Sequence, residues 1–179
     1  MEKVRTEILE TQSAKLTKTR ELIEFLVLSA AALLVPFLLG HPQFLVGTLV
    51  NATLILAVLN LKNYKVLPIL LLPSIGVLTK GLIFGPFTVL LVYMIPFIWI
   101  GNLILAYSVK GMKSKWLGLV IGAILKMAFL YSVATVLIKL GVLPKPFALS
   151  MGMIQLYTAL AGGVLALTIN GLKNKFVRA

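Results

Sequence analysis

The stretch from Lys115 to Leu140, KWLGLVIGAILKMAFLYSVATVLIKL, is a hydrophobic run with one charge at its centre, Lys126. As a helix it is long enough to cross a bilayer, whose apolar core needs about 20 residues. An ammonium near the midpoint of such a span costs roughly 2.5–3.5 kcal/mol on insertion scales. Gly118, Gly122 and Lys126 fall at i, i+4 and i+8 and therefore share one helix face. Glycines so spaced let another helix come close. That face is expected to look into protein, and Lys126 with it.

A lysine at that depth normally pairs with a carboxylate, and this chain has almost none to offer. Its five acids (Glu2, Glu7, Glu10, Glu21 and Glu24) all precede Phe25, and there is no Asp. The remaining partners are neutral dipoles, backbone carbonyls, water or an anion brought from outside. Two readings follow. Either Lys126 snorkels or packs as a structural core residue, or it serves a binding cavity, the default role of an intramembrane ionisable group.

Sixty per cent hydrophobic and 12% charged residues do not describe a soluble domain. The net charge of +12 would suggest nucleic acid in a soluble chain, but its distribution argues against that partner. No cysteine means no disulfide, thiolate nucleophile or Cys-ligated metal. One histidine, His41, and no Asp leave too few ligands for a metal site, and no cofactor is expected. An acid-containing segment precedes the first apolar run and no small-x-small site follows it, so that run reads as a retained helix rather than a signal peptide.

The expected architecture is an all-α integral membrane protein of six transmembrane helices. Residues 1–21 form a cytoplasmic tail or surface helix, 22–172 the membrane domain and 173–179 a second tail. The helices are expected at about Leu22–Leu39, Phe44–Leu61, Val66–Leu78, Phe87–Val109, Lys115–Leu140 and Ser150–Leu172. Gly40-His41-Pro42-Gln43 reads as a tight turn, Lys80–Pro86 as a loop and Gly141–Leu149 as the last external loop. The third helix is short and holds Pro68, Pro73 and Gly76, a pattern that marks either a break lining a binding site or a kinked packing helix. Pro73 is expected to interrupt its hydrogen bonding, and Pro96 to kink the fourth helix.

Six spans put both ends on one side. On that side lie 13 of the 17 Lys and Arg residues, against Lys80, Lys139 and Lys145 on the other, with Lys126 between. The positive-inside rule then makes both termini cytoplasmic, in a prokaryotic plasma membrane. This topology sets Asn51 and Lys126 near the midplane and Asn102 somewhat towards the cytoplasm. Gln155, Tyr93 and Tyr157 fall in the outer half, with His41 and Gln43 at the outer turn. The amides could satisfy one another as interhelical glue; grouped around one unpaired lysine, they favour a polar cavity. The candidate substrate-binding residues are Lys126, Asn51, Asn102, Gln155, Tyr93 and Tyr157.

A six-helix chain of this length resembles the substrate-binding S-component of energy-coupling factor (ECF) transporters. The stretches LVNATLILAVLNL, MIPFIWIGNLIL and GMIQLYTALAGGVLAL carry the likeness to a poorly characterised subgroup, over about Leu22 to Leu172. The resemblance implies an S-component-like bundle binding a small solute, often a vitamin, in the outer half between helices 4, 5, 6 and the external loops. It also implies docking onto a transmembrane coupling subunit driven by ATPase subunits, since the chain has no phosphate-gripping loop of its own. Many S-components carry Ala-x-x-x-Ala on helix 1 as the docking surface. Here Ser29-Ala30-Ala31-Ala32 offers no such i, i+4 pair, a departure from the pattern.

The leading expectation is therefore a transporter subunit that binds a small solute, an anion among the candidates, from the outer side. The alternative is a membrane subunit of a redox or respiratory complex of the hydrogenase type, with Lys126 in a proton relay; a relay needs several titratable groups in series, and only one lies at mid-depth. An enzyme is not expected, because no acid/base pair or nucleophile lies within the spans.

Overall fold

The structure is a computed structural model that describes residues 2–39, 42–80 and 85–178. All regular structure among them is helical: α1 (Glu2–Leu38), α2 (Gln43–Asn60), α3 (Asn63–Lys80), a 3₁₀ helix (Gly85–Met94), α4 (Ile95–Gly111), α5 (Lys115–Lys139), α6 (Pro146–Met151) and α7 (Met153–Arg178). Five stretches are long and apolar enough to cross a membrane: Leu16–Leu38, Gln43–Asn60, Leu90–Gly111, Lys115–Lys139 and Pro146–Lys175. The remaining one, Tyr64–Thr79 in α3, is shorter. The expected all-α bundle is what the chain forms.

Several expected boundaries move. The first helix does not start at Leu22: α1 runs unbroken from Glu2 through Pro36. The third helix is neither as short nor as broken as its prolines suggest, spanning 18 residues with Pro68 and Pro73 inside it. Each proline removes one N–H, while the other bonds of the turn persist. Pro96 does not kink α4 but begins it, at a position where the missing N–H has no intrahelical acceptor to serve. The residues ahead of it are wound as the 3₁₀ segment. The last helix is split at Gly152, into α6 and α7. Gly40 and His41 of the expected turn, and residues 81–84 of the expected loop, lie outside the described residues.

The ends of α5 show how the sequence punctuates the bundle. Ser114 is its N-cap, with the side-chain oxygen accepting from the Leu117 N–H at 3.3 Å. At the other end Gly141 takes the left-handed conformation, φ 75°. Its N–H donates to the Ile138 carbonyl and that of Val142 to the Leu137 carbonyl, the paired bonds of a Schellman motif.

The spans pair as α2 with α7, α4 with α5 and α1 with α3. The glycine face of α5 makes the second pairing possible. A methyl group added at Gly118 would sit 2.5 Å from the Ser108 carbonyl oxygen, and one at Gly122 2.8 Å from the Ser108 Cβ. Large apolar side chains are turned outward, including Leu22, Ile23, Leu26 and Val27 on α1 and Ile124 and Leu125 on α5. Buried hydroxyls and amides point inward. This inside-out distribution suits a multi-pass protein in lipid, where backbone groups are satisfied within each helix.

α1, α2 and α7 meet at one end of the bundle. Lys173 on α7 donates to Glu24 on α1 and, at 2.8 Å, to Asn60 on α2. Glu21 on α1 pairs with Lys65 at 3.3 Å. Pro36 near the end of α1, Gln43 at the start of α2 and Met151 at the end of α6 lie together towards the opposite end.

Candidate functional site

Lys126 projects from the middle of α5 and is 2% exposed. Its side chain packs against the middle of the antiparallel α4, where a methyl group added at Gly101 would lie 3.3 Å from its Cγ. There Nζ donates to Asn102 Oδ1 at 2.8 Å, and across the bundle to Asn51 Oδ1 of α2 at 2.7 Å. These lengths are in the range of charge-assisted bonds. The expected displacement of Asn102 towards the cytoplasm is not seen: the α4–α5 register sets its neighbour Gly101 against Lys126 and Leu130, level with the lysine.

The amides are used at both ends. Asn51 Nδ2 donates to Thr158 Oγ1 at 3.2 Å, and that hydroxyl donates on to the Gln155 carbonyl at 3.3 Å. Asn102 Nδ2 points at the Leu70 carbonyl of α3, at 3.5 Å. Five helices, α2, α3, α4, α5 and α7, are thus joined in one hydrogen-bonded network around Lys126. Chained donors of this kind polarise one another in a low-dielectric interior. Among the described residues no carboxylate pairs with Lys126, and no third acceptor stands within hydrogen-bonding distance of its Nζ.

Lys126, Asn51 and Asn102 line a cavity of about 100 Å³. It extends from them towards the α1–α2 end, past Val50, Gly47 and Val46 to Gln43 on one wall and past Ser74 and Val77 on another. Pro36, Pro73, Leu91, Ile98, Met151 and Gln155 complete the lining. A single water needs roughly 10–15 Å³ measured this way, so the space holds several waters or the polar end of a small solute. Apolar side chains dominate the walls, with the cationic group at one end.

Four of the six expected site residues meet here: Lys126, Asn51, Asn102 and Gln155. Tyr93 and Tyr157 do not. They are 55% and 52% exposed, on outward faces away from the cavity. Gln155 sits on the wall through a half-buried side chain, while its backbone carbonyl ends the Thr158 chain. The sequence reading missed Thr158 and Ser74, both buried. The signal for Thr158 was its place three residues after Gln155, on the same face of α7; Ser74 follows the buried Pro73. Among the described residues no group of His, Cys, Asp or Glu could hold a metal ion. No protein-family model, curated protein or solved structure matches the chain.

Proposed function

We propose that the protein is the substrate-binding subunit of a membrane transporter, of the kind the S-component resemblance suggests, and takes a small anionic solute from the outer side. One observation carries the reading: a buried lysine amino group held by two amide oxygens, without a carboxylate, at the end of an apolar-walled cavity. A solute carboxylate or similar group offers Lys126 its missing counter-charge, while the apolar walls take the rest of the molecule. Neutral amides fix the ammonium without cancelling its charge. Gln43 and Gln155, nearer the mouth, are placed to donate to a polar group on the same solute.

The protein in this reading binds and does not catalyse. Any ATP-driven step belongs to partner subunits, and the positive-inside rule supports an orientation with both termini in the cytoplasm of a prokaryotic cell. The experiment is a thermal-shift screen of the purified protein in mild detergent against small anions of varied apolar size, paired with identification of the subunits that co-purify. A saturable upward shift that Lys126→Met abolishes, with ATPase subunits in the complex, is the expected result. Redox subunits in the complex, and no anion that shifts the parent protein, would favour the respiratory alternative.

A further inference from the structure

At the end of the bundle where Lys173 meets Glu24 lies a second, larger cavity of about 600 Å³. Arg20, Lys62, Lys110 and Lys173 line it, with Glu21 and Glu24 as its acidic residues. Each carboxylate is already shared between two cations: Glu24 between Arg20 and Lys173, Glu21 between Lys62 and Lys65. Among the described lining residues four cations stand against two carboxylates, so the lining is net positive. Asn60 and Asn174 add amides.

This cavity does not stand alone. A groove of about 240 Å³ runs from it along the outside of the bundle and shares Glu24, Asn60 and Lys173 with it. Beyond those three residues its walls are purely apolar: Ile23, Val27 and Leu28 of α1, Leu56 of α2 and Ile169 of α7. Ile23, Val27 and Ile169 are exposed. Lys173 stands at the junction, donating to both Glu24 and Asn60. Its position is where a span passes from apolar to charged residues, the depth of lipid phosphates.

We propose that the cavity and groove together form a binding site for one anionic glycerophospholipid. The phosphate sits among Arg20, Lys62, Lys110 and Lys173, and an acyl chain lies between α1 and α7. The charge excess selects an anion, as basic pockets between spans do for anionic headgroups. The continuous apolar groove selects a lipid over free phosphate, because phosphate alone leaves Ile23, Val27 and Ile169 without a partner. The site is separate from the Lys126 cavity and independent of the transport reading.

The test is native mass spectrometry of the full chain, delipidated in mild detergent and titrated with phosphatidylglycerol or phosphatidylcholine of identical acyl chains, with and without inorganic phosphate. One phosphatidylglycerol should bind at least about tenfold more tightly than phosphatidylcholine, given the contribution expected of each basic residue near a membrane surface. The exposed pair Arg20→Gln/Lys62→Gln should remove most of that preference, and Val27→Trp, which fills the groove, should weaken phosphatidylglycerol binding. If the double variant aggregates, the parent protein at rising salt gives the same reading, with the preference collapsing as charges are screened. Equal binding of the two lipids, or a preference that survives both the double substitution and high salt, overturns the proposal. Full displacement of the lipid by millimolar phosphate overturns it in favour of a free-phosphate site.

Discussion

Lys126 Nζ and Asn51 Oδ1 stand 2.7 Å apart although 75 positions separate them in the chain. With the matching bond to Asn102, this contact makes two neutral amides the only protein groups that hold a mid-bundle ammonium among the described residues. Their oxygens are as dependent on the lysine as it is on them.

That dependence sets the first prediction. Lys126→Met leaves two buried amide oxygens unpaired, and each such loss costs about 1–3 kcal/mol. The variant should melt clearly below the parent in detergent. Asn51→Leu/Asn102→Leu/Lys126→Met, which removes the polar cluster together, should regain most of that loss, as buried ionic clusters replaced by apolar residues often do. Both variants should lose solute affinity by roughly 2–5 kcal/mol, the scale for removing one partner of a buried charge pair. A single methionine variant as stable as the parent would mean that the hydrogen bonds contribute nothing.

The second prediction separates the wall of the cavity from its surroundings. Tyr93 and Tyr157 face outward, so Tyr93→Leu and Tyr157→Leu should leave solute affinity within about twofold of the parent, as for surface changes worth less than ~0.5 kcal/mol. Gln155→Leu, on the cavity wall, should weaken binding of any solute with a second polar group. Isothermal titration with the best anion from the screen measures all three. Strong loss on either tyrosine substitution would move the site outward, to the face the tyrosines occupy.

How much of this was legible in the sequence depends on the physical signal behind each feature. The apolar runs and the glycine spacing on α5 act locally through one helix period, and the close α4–α5 approach follows from them. The meeting of Lys126 with Asn51 and Asn102 was suggested by scarcity, since the acids all lie before Phe25. The side a tyrosine faces was not legible, because an amphipathic aromatic suits a lipid interface as well as a pocket. The prolines misled for a related reason. Pro73 and Pro96 each lack one N–H, but whether that breaks, bends or starts a helix is decided by neighbours the local sequence does not contain. At Pro96 the 3₁₀ segment ahead makes it a beginning.

The third prediction concerns the α4–α5 contact. Gly118→Val puts carbon where the Ser108 carbonyl lies and should destabilise by about 1–3 kcal/mol through forced separation of the helices. Gly171, on α7, is the internal control: nothing lies within 4 Å of an added methyl there. Gly171→Ala should be neutral or stabilising by up to about 1 kcal/mol, from helix propensity. Thermal unfolding of the two variants in one detergent checks the contrast. Equal effects would show that helix propensity, not the close approach, governs both positions.

The last prediction tests the orientation on which the outer side of the cavity depends. Lys113, between α4 and α5, and Lys145, just before α6, are both exposed. The 25 residues of α5 separate their ends of the bundle, a rise of about 37 Å at 1.5 Å per residue. The chain has no cysteine, so a cysteine placed at either position is the only thiol present. In intact cells Lys145→Cys should react with a membrane-impermeant maleimide, and Lys113→Cys should react only after the cells are permeabilised. Because both side chains are solvent-accessible at their own ends, a difference in labelling reports the side of the membrane rather than burial. The reverse pattern would place the termini outside and open the Lys126 cavity towards the cytoplasm, and the solute would then be an intracellular one.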